Sequence, residues 1–209
     1  MYLPNYSEVK DLALIKAFIE NHSFGAFITA TAEGINVNHY PFLLEQKGTE
    51  WILYTHLARS NPQWKSLSAS SPMVTAVFTG PHTYVSPIYY KDPLNVPTWN
   101  YTAVHASGPC EVVNDDALSR DLMKRLVEFY ETKYQTHWKY ELPESFHEGL
   151  LKGIVWVKIR VTSLEAKFKL SQNRNREDYE GVVKALSKRG TDADREILEY
   201  MQLTKPEWK

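Results

Sequence analysis

The segment Tyr54-Thr55-His56-Leu57-Ala58-Arg59-Ser60-Asn61-Pro62-Gln63-Trp64-Lys65 brings hydroxyls, a guanidinium and an Asn-Pro helix start into one short stretch. Hydroxyl donors, a fixed cation and the free N–H groups of a helix N-terminus are what a phosphate monoester requires. The same residues also suit a structural turn in which Asn61 caps the helix and Arg59 is solvated. A second set, Pro97-Thr98-Trp99-Asn100-Tyr101, holds an amide between two large aromatics. A planar heterocycle can stack on such a ring while Asn100 bonds its polar edge, yet Trp99 and Tyr101 share a strand face and equally suit a core. A third run, Lys167-Phe168-Lys169-Leu170-Ser171-Gln172-Asn173-Arg174, is polar and basic, and an exposed turn has the same composition. Its side chains bond ligands well and rarely transfer protons. Three such clusters point to binding more than to acid/base catalysis, and no catalytic residue stands out.

Several chemistries lose support. The sequence has no G-x-G-x-x-G, no G-x-x-x-x-G-K-[ST], no G-x-S-x-G and no H-E-x-x-H. Its seven histidines show no i,i+4 metal pair, and the single Cys110 excludes thiolate clusters and an internal disulfide, so no metal site is expected. One cysteine also suits a reducing cytoplasm.

The elements that must position these clusters follow from periodicity. Leu12, Ile15 and Ile19 predict an amphipathic first helix with Ser7 as N-cap and Gly25 past its end. Phe24–Thr31 and Ile35–Leu44 read as a hairpin across Ala32, Glu33 and Gly34. Trp51–His56 is a strand, followed by a short helix from Asn61-Pro62 to about Ser70. Met73–Thr79 is the next strand, which Gly80 and Pro81 turn into His82–Ser86, and a Pro-rich loop runs from Pro87 to Pro97. Thr98–Val113 reads as one long strand bent at Gly108 and Pro109. Asn114 or Asp115 then caps a helix with the stripe Leu118, Leu122, Leu126 and Phe129, ending near Gln135. Ile154–Val161 alternates Val155, Val157, Ile159 and Val161 against Trp156, Lys158 and Arg160, a sixth strand with one buried face. Arg176–Leu203 predicts two helices parted by Gly190 and Thr191.

These elements predict a mainly β fold, a closed or split six-stranded β-barrel with N-terminal, crossover and C-terminal helices. With 209 residues, 43% hydrophobic and 23% charged, the expectation is a single domain over 1–209, with 176–209 a helical extension packed on it. A net charge of −1 gives no global attraction to nucleic acid or anionic membrane. Asp11 and Glu8 interrupt any signal-peptide core, and no apolar run is long enough to span a bilayer, so a cytoplasmic protein without membrane contact is expected.

Six pieces in order carry a family resemblance: Met1-Tyr2-Leu3-Pro4, His39-Tyr40-Pro41-Phe42, His56 to Trp64, Gly80-Pro81-His82-Thr83-Tyr84-Val85-Ser86-Pro87, Val96 to Tyr101, and Lys169-Leu170-Ser171-Gln172-Asn173-Arg174. At these residues the sequence resembles, over nearly its whole length, the PaiB-like family of FMN-binding negative transcriptional regulators. The resemblance implies an FMN-binding split barrel, a homodimer with two flavin sites at the subunit interface, and a DNA operator or regulatory protein as partner. By position it assigns Thr55, His56, Arg59 and Ser60 to the FMN phosphate, with Lys65 as an addition. It puts Trp99, Asn100 and Tyr101 near the flavin ring or ribityl chain, and His39 and Pro41 on the ring side. Lys169, Ser171, Gln172 and Asn173 close the pocket, from the partner subunit in one arrangement.

The regulatory implication meets a charge problem. The last predicted helix carries Asp192, Asp194, Glu196 and Glu199 against one cation, Arg195, and an acidic recognition helix repels the DNA backbone. Lys184, Lys188, Arg189, Lys167, Lys169 and Arg174 remain as a local basic patch. A flavin-dependent oxidoreductase of the split-barrel class is the alternative, since the isoalloxazine itself carries electron transfer. A barrel binding haem or another phosphate compound is the third reading.

Overall fold

Alternating burial along the strands and capped helix starts account for most of the elements. The computed structural model describes residues 1–32, 34–67, 71–92 and 94–208. In chain order they are α1 (Leu12–Asn21), β1 (Phe24–Thr31), β2 (Gly34–Pro41), β3 (Leu43–Lys47), β4 (Glu50–Ala58), a 3₁₀ helix Pro62–Leu67 and β5 (Met73–Val85). A second 3₁₀ turn at Pro87–Tyr89, then β6 (Thr98–Val112), α2 (Asp116–Tyr134), α3 (Glu144–Lys152), β7 (Ile154–Val161), β8 (Ser163–Lys169), α4 (Arg176–Arg189) and α5 (Asp192–Leu203) complete it. Eight strands among the described residues pair in the order β2-β1-β5-β6-β7-β4-β3, with β8 on β6. The path ends at β2 and β3, so the sheet is not closed.

The chain forms two compact units. One comprises Ile19–Val77 and Ala106–Leu164, and the other Met1–Phe18, Phe78–His105 and Glu165–Lys209. We call the latter, which holds the chain's start, the first unit.

In the second unit, β1 and β2 pair antiparallel from Phe24↔Pro41 to Thr31↔Gly34, and β4 pairs β7 from Trp51↔Val161 to Ala58↔Ile154. Glu33, expected in the hairpin turn, lies outside the described residues. The predicted strand 35–44 divides at Phe42. Pro41 has no N–H to donate, the Phe42 N–H bonds Ser23 O at 2.8 Å as the last contact in the β1–β2 register, and from Leu43 the chain pairs β4 instead as β3. Helix α2 begins at Asp115, whose side chain accepts from Leu118 N–H, and ends at Gln135 in a left-handed conformation. Its Leu122 and Leu126 pack against Leu43, Tyr54 and Trp156. Trp156, expected on the outward face of β7, is therefore 2% exposed, and that strand is covered on both sides at this point. The crossover helix expected to reach about Ser70 is 3₁₀ over Pro62–Leu67, and Ser70 lies outside the described residues. Helix α3 had no counterpart in the sequence reading.

In the first unit, Phe18, Phe168 and Tyr200 form an aromatic cluster with ring centroids 5.0 to 5.8 Å apart. Gly80 faces it, and a Cβ there would strike the Phe18 ring and Thr102 Oγ1. The glycine thus serves close approach, not a turn, and β5 runs unbroken through Gly80 and Pro81. Gly108 similarly admits the backbone of Arg160 in the second unit. The run from Lys167 to Lys169, expected as a basic turn, belongs to β8, where Ala166, Lys167 and Phe168 are buried. Ser7 is no helix cap. It is buried with its carbonyl accepting from Phe168 N–H at 2.9 Å, and Asp11 caps α1 through Ala13 and Leu14 N–H.

Helices α4 and α5 meet at Gly190, left-handed at φ 64, as their sequence predicted. Asp194 is fully buried there. It accepts from Arg189 Nε at 2.8 Å and Nη2 at 2.5 Å, from Thr83 Oγ1 at 2.7 Å and from Thr191 N–H. The Arg189 guanidinium foremost, then Thr83 and Thr191, holds its carboxyl well below the usual carboxylate range despite burial. Unfolded Asp takes a proton near pH 3.9, so the pair's contribution is complete above about pH 5 and is lost as pH falls through the lower folded value. Asp194→Asn should cost about 3 kcal/mol at neutral pH, because it leaves a guanidinium facing a neutral amide. The urea midpoints of variant and wild type should begin to approach each other only below about pH 4 and draw together as pH falls towards the lower folded value. A gap independent of pH would show that the charge is not the source.

Candidate functional site

Strand β4 delivers the first cluster. Thr55 is fully buried, and its hydroxyl donates to Pro41 O at 2.7 Å. His56 is half-buried with its ring 4.9 Å from Trp156. Its Nδ1 is covered and, like Trp156 Nε1, has no hydrogen-bond partner among the described residues, and burial pushes the imidazole's pKa down, which favours the neutral ring.

Beyond the strand, Arg59 is exposed but anchored. Its backbone N–H bonds Gly153 O at 2.8 Å, Nε donates to Lys152 O at 2.7 Å and Nη2 to Ile154 O at 2.8 Å. The cation thereby sits at the C-terminal end of α3, where the helix dipole favours it. Trp64 Nε1 closes the turn onto Arg59 O at 2.9 Å. Asn61 caps the 3₁₀ helix by accepting from Gln63 N–H at 3.0 Å, as expected.

Gln63 organises this turn, and sequence reasoning missed it. It is 4% exposed; Oε1 accepts from Asn38 Nδ2 at 3.0 Å and Tyr40 OH at 3.1 Å, while Nε2 donates to Thr29 Oγ1 at 3.1 Å. Asn61 Nδ2 donates to the same tyrosine oxygen at 2.9 Å. The signal in the sequence was the every-second-residue polar row Asn36, Asn38 and Tyr40 on β2. What the turn leaves uncommitted among the described residues is Arg59 Nη1, the Ser60 hydroxyl and the Lys65 ammonium, all on exposed residues. His39 lies apart from them on β2, exposed and stacked 6.2 Å from Phe24.

The other predicted residues belong to the first unit. Trp99 is 52% exposed, its ring 5.9 Å from Tyr84 and 6.0 Å from His82, while half-buried Tyr101 lies 5.6 Å from Lys167 Nζ. Asn100 points the opposite way and is fully buried, with Nδ2 3.9 Å from Met201 Sδ and Oδ1 accepting from Ser171 Oγ at 3.1 Å. Ser171 is left-handed at φ 67. Gln172 folds back on its own chain, donating to Phe168 O and accepting from Leu170 N–H, and Asn173 is exposed. Lys169 donates to Thr98 Oγ1 and, at 2.9 Å, to Trp99 O. Burial, then Lys167 and Arg174, pushes its ammonium pKa down.

No helix among the described residues is long and apolar enough to cross a membrane, and no group of three potential metal ligands comes together among them.

Comparison with solved structures defines the class. The chain superimposes on the flavocytochrome Anf3 of Azotobacter vinelandii with a TM-score of 0.62 at 13% identity, covering 86% of this chain and 78% of that one. The FAD and heme binding protein of Mycobacterium smegmatis gives 0.60 at 12% identity, covering 78% and 73%. The fold is therefore that of these flavin-protein structures. A family model described as "Putative FMN-binding domain" matches residues 1–163, and the Bacillus subtilis protease synthase and sporulation protein PAI 2 is 35% identical over 97% of both chains. The chain belongs to the PaiB-like family, and FMN is the cofactor of its domain.

The donor set fits that cofactor's phosphate. Among the described residues one guanidinium nitrogen of Arg59, the Ser60 hydroxyl and the Lys65 ammonium are uncommitted on one exposed turn, a donor set of the kind a phosphate dianion needs. Thr55 has already given its hydrogen to Pro41, so it holds the strand end instead. Because Gln63 satisfies three partners in a buried position, Gln63→Leu should destabilise the protein by about 2 kcal/mol through unpaired Thr29, Asn38 and Tyr40. Thermal unfolding checks this, and an unchanged midpoint would show the network to be dispensable.

Proposed function

We propose that this protein binds FMN with its phosphate on the Arg59–Lys65 turn and acts as a negative regulator of transcription through a protein partner. The observation that carries the cofactor half is the set of uncommitted donors at Arg59, Ser60 and Lys65, held in place by buried Gln63. His56, its pKa pushed down by burial and its Nδ1 without a hydrogen-bond partner among the described residues, is suited to the ring or ribityl side. When bound, the flavin supplies electron-transfer chemistry; the protein's residues bind and orient it.

In this reading the protein is a homodimer. Ile35, Val37 and Phe24 on the β1–β2 hairpin are 72%, 51% and 65% exposed, and β2 ends the strand path, so a second copy would cover apolar surface at a free edge. Trp99, Lys169 and Asn173 of one copy would then meet the cofactor held by the other, with Ser171 and Gln172 shaping their loop.

A protein partner is preferred to direct DNA contact because most of the expected basic patch is engaged. Arg189 pairs with Asp194; Lys167, 8% exposed, donates to Tyr2 O; Lys169 holds Thr98; and Arg174 donates to Asn95 from above the Tyr90 ring. Lys184 and Lys188 alone of the six make no such bond among the described residues.

Titration of FMN and of riboflavin, which lacks the phosphate, tests the site. Ser60→Ala and Lys65→Ala together should weaken FMN about tenfold, about 1.4 kcal/mol, and riboflavin less than about twofold. Equal weakening of both would move the phosphate elsewhere, and no FMN binding by the wild type would remove the site. Sustained NAD(P)H oxidation by the FMN-loaded protein would favour an oxidoreductase, and saturable sequence-selective DNA binding with a steep salt slope would restore direct operator contact.

A further inference from the structure

Helices α4 and α5 enclose a groove of about 590 Å³ within the first unit, beyond residue 163 where the family model stops. The short link at Gly190 and Thr191 brings α5 back along α4 and leaves the space between them. Its floor is Tyr179 and Met201, 3% and 1% exposed and locked by Tyr179 OH donating to Met201 O at 2.7 Å. Val183 and Leu198 are half-buried in its walls. Lys184 and Lys205 line it without a carboxylate partner among the described residues; Lys205 Nζ lies 5.8 Å over the Trp208 ring. Of the other charges at the rim, Glu180 is paired outward to Arg176 and Arg195 to Asp192, which leaves Glu199 as the one carboxylate there with no salt bridge among the described residues.

A groove of this volume, apolar below and edged by two lysines against one unpaired carboxylate among the described residues, has the character of a small-ligand site with a net positive rim. We propose that it binds a small amphipathic anion, an aromatic or short aliphatic acid, with the apolar body on Val183, Leu198 and Met201 and the acidic group held by Lys184 and Lys205. The floor leads further. Met201 Sδ receives Asn100 Nδ2, and Asn100 Oδ1 receives Ser171 Oγ, so an occupant that shifts Met201 acts on the loop carrying Ser171, Gln172 and Asn173. Ser171 holds a left-handed conformation that a non-glycine residue keeps only while its surroundings enforce it. The groove is thereby an effector site for cofactor binding, a step that rests on the FMN reading above.

The test uses 8-anilinonaphthalene-1-sulfonate as the anionic probe and N-phenyl-1-naphthylamine as its neutral counterpart. The anion should bind at one saturable site per chain, weakened at least about tenfold, roughly 1.4 kcal/mol, by Lys184→Glu with Lys205→Glu, two exposed positions. The neutral probe should change by less than about threefold, roughly 0.65 kcal/mol. Val183→Trp, which fills the groove, should abolish both. Unsaturable binding, or anion affinity indifferent to charge reversal, overturns the site. Calorimetric FMN affinity should then shift by about threefold or more when the anionic probe is saturating. An unchanged value overturns the effector role while leaving the site, and absence of FMN binding without any probe counts against the FMN reading alone.

Discussion

A buried carboxamide must find partners for its oxygen and both its hydrogens, and that demand shapes the surface that matters here. Gln63 is almost wholly withdrawn from water, so its amide is worth burying only if Thr29, Asn38 and Tyr40 arrive together. Those partners come from β1 and β2, while Gln63 belongs to the 3₁₀ helix after β4. Satisfying one side chain therefore ties that helix to the hairpin. Arg59 spends two guanidinium nitrogens on Lys152 and Ile154, whereas Ser60 and Lys65 spend no side-chain hydrogen bond among the described residues; donors set in place by their support are what preorganisation requires.

The first unit repeats the device with different residues. Asn100 is buried between Met201 and Ser171, and its carbonyl holds the serine hydroxyl that sets the start of an exposed polar loop. Gln172 completes that loop by using its own amide on its own backbone. In both places the amide that looks in the sequence like a ligand group, or like nothing at all, is the support, and its neighbours are the surface offered to solvent. Trp99 and Asn100 show the division plainly: adjacent residues of β6, one half exposed and one fully buried.

That division explains what the sequence made legible. Hydrophobic period and caps identified α2, α4, α5 and most strands, because those signals are local. The failures are cases where tertiary contact reverses a local cue. Gly80-Pro81 reads as a turn until the Phe18 ring is pressed against the glycine. Ser7 reads as a cap until β8 claims its backbone, and Lys167 reads as solvated until it lies between Tyr2 and Tyr101. One of the two unpredicted strands follows from the same source, since the start of the basic run, Lys167–Lys169, forms the end of β8, where Ala166, Lys167 and Phe168 are buried. Residue types singled out the turn after β4, but which of its side chains remain uncommitted depends on partners as distant as Lys152 and Ile154.

The charge ledger shows the same principle acting on function. Affinity for DNA comes from cations that exchange counterions for phosphates, and a cation can do so only if it is not already neutralised. Arg189 would have to abandon a fully buried Asp194, leaving an unpaired carboxylate in the protein, a loss of several kcal/mol before any phosphate is met. Lys167 would have to leave its burial, and Arg174 its place on the Tyr90 ring. Lys184 and Lys188 carry no such cost, and Lys184 already borders an apolar groove rather than a flat basic face. Positive charge in the C-terminal third of the chain is thus mostly structural mortar. What it leaves exposed between α4 and α5 lies beside an apolar groove, an arrangement that suits a small acid better than the DNA backbone.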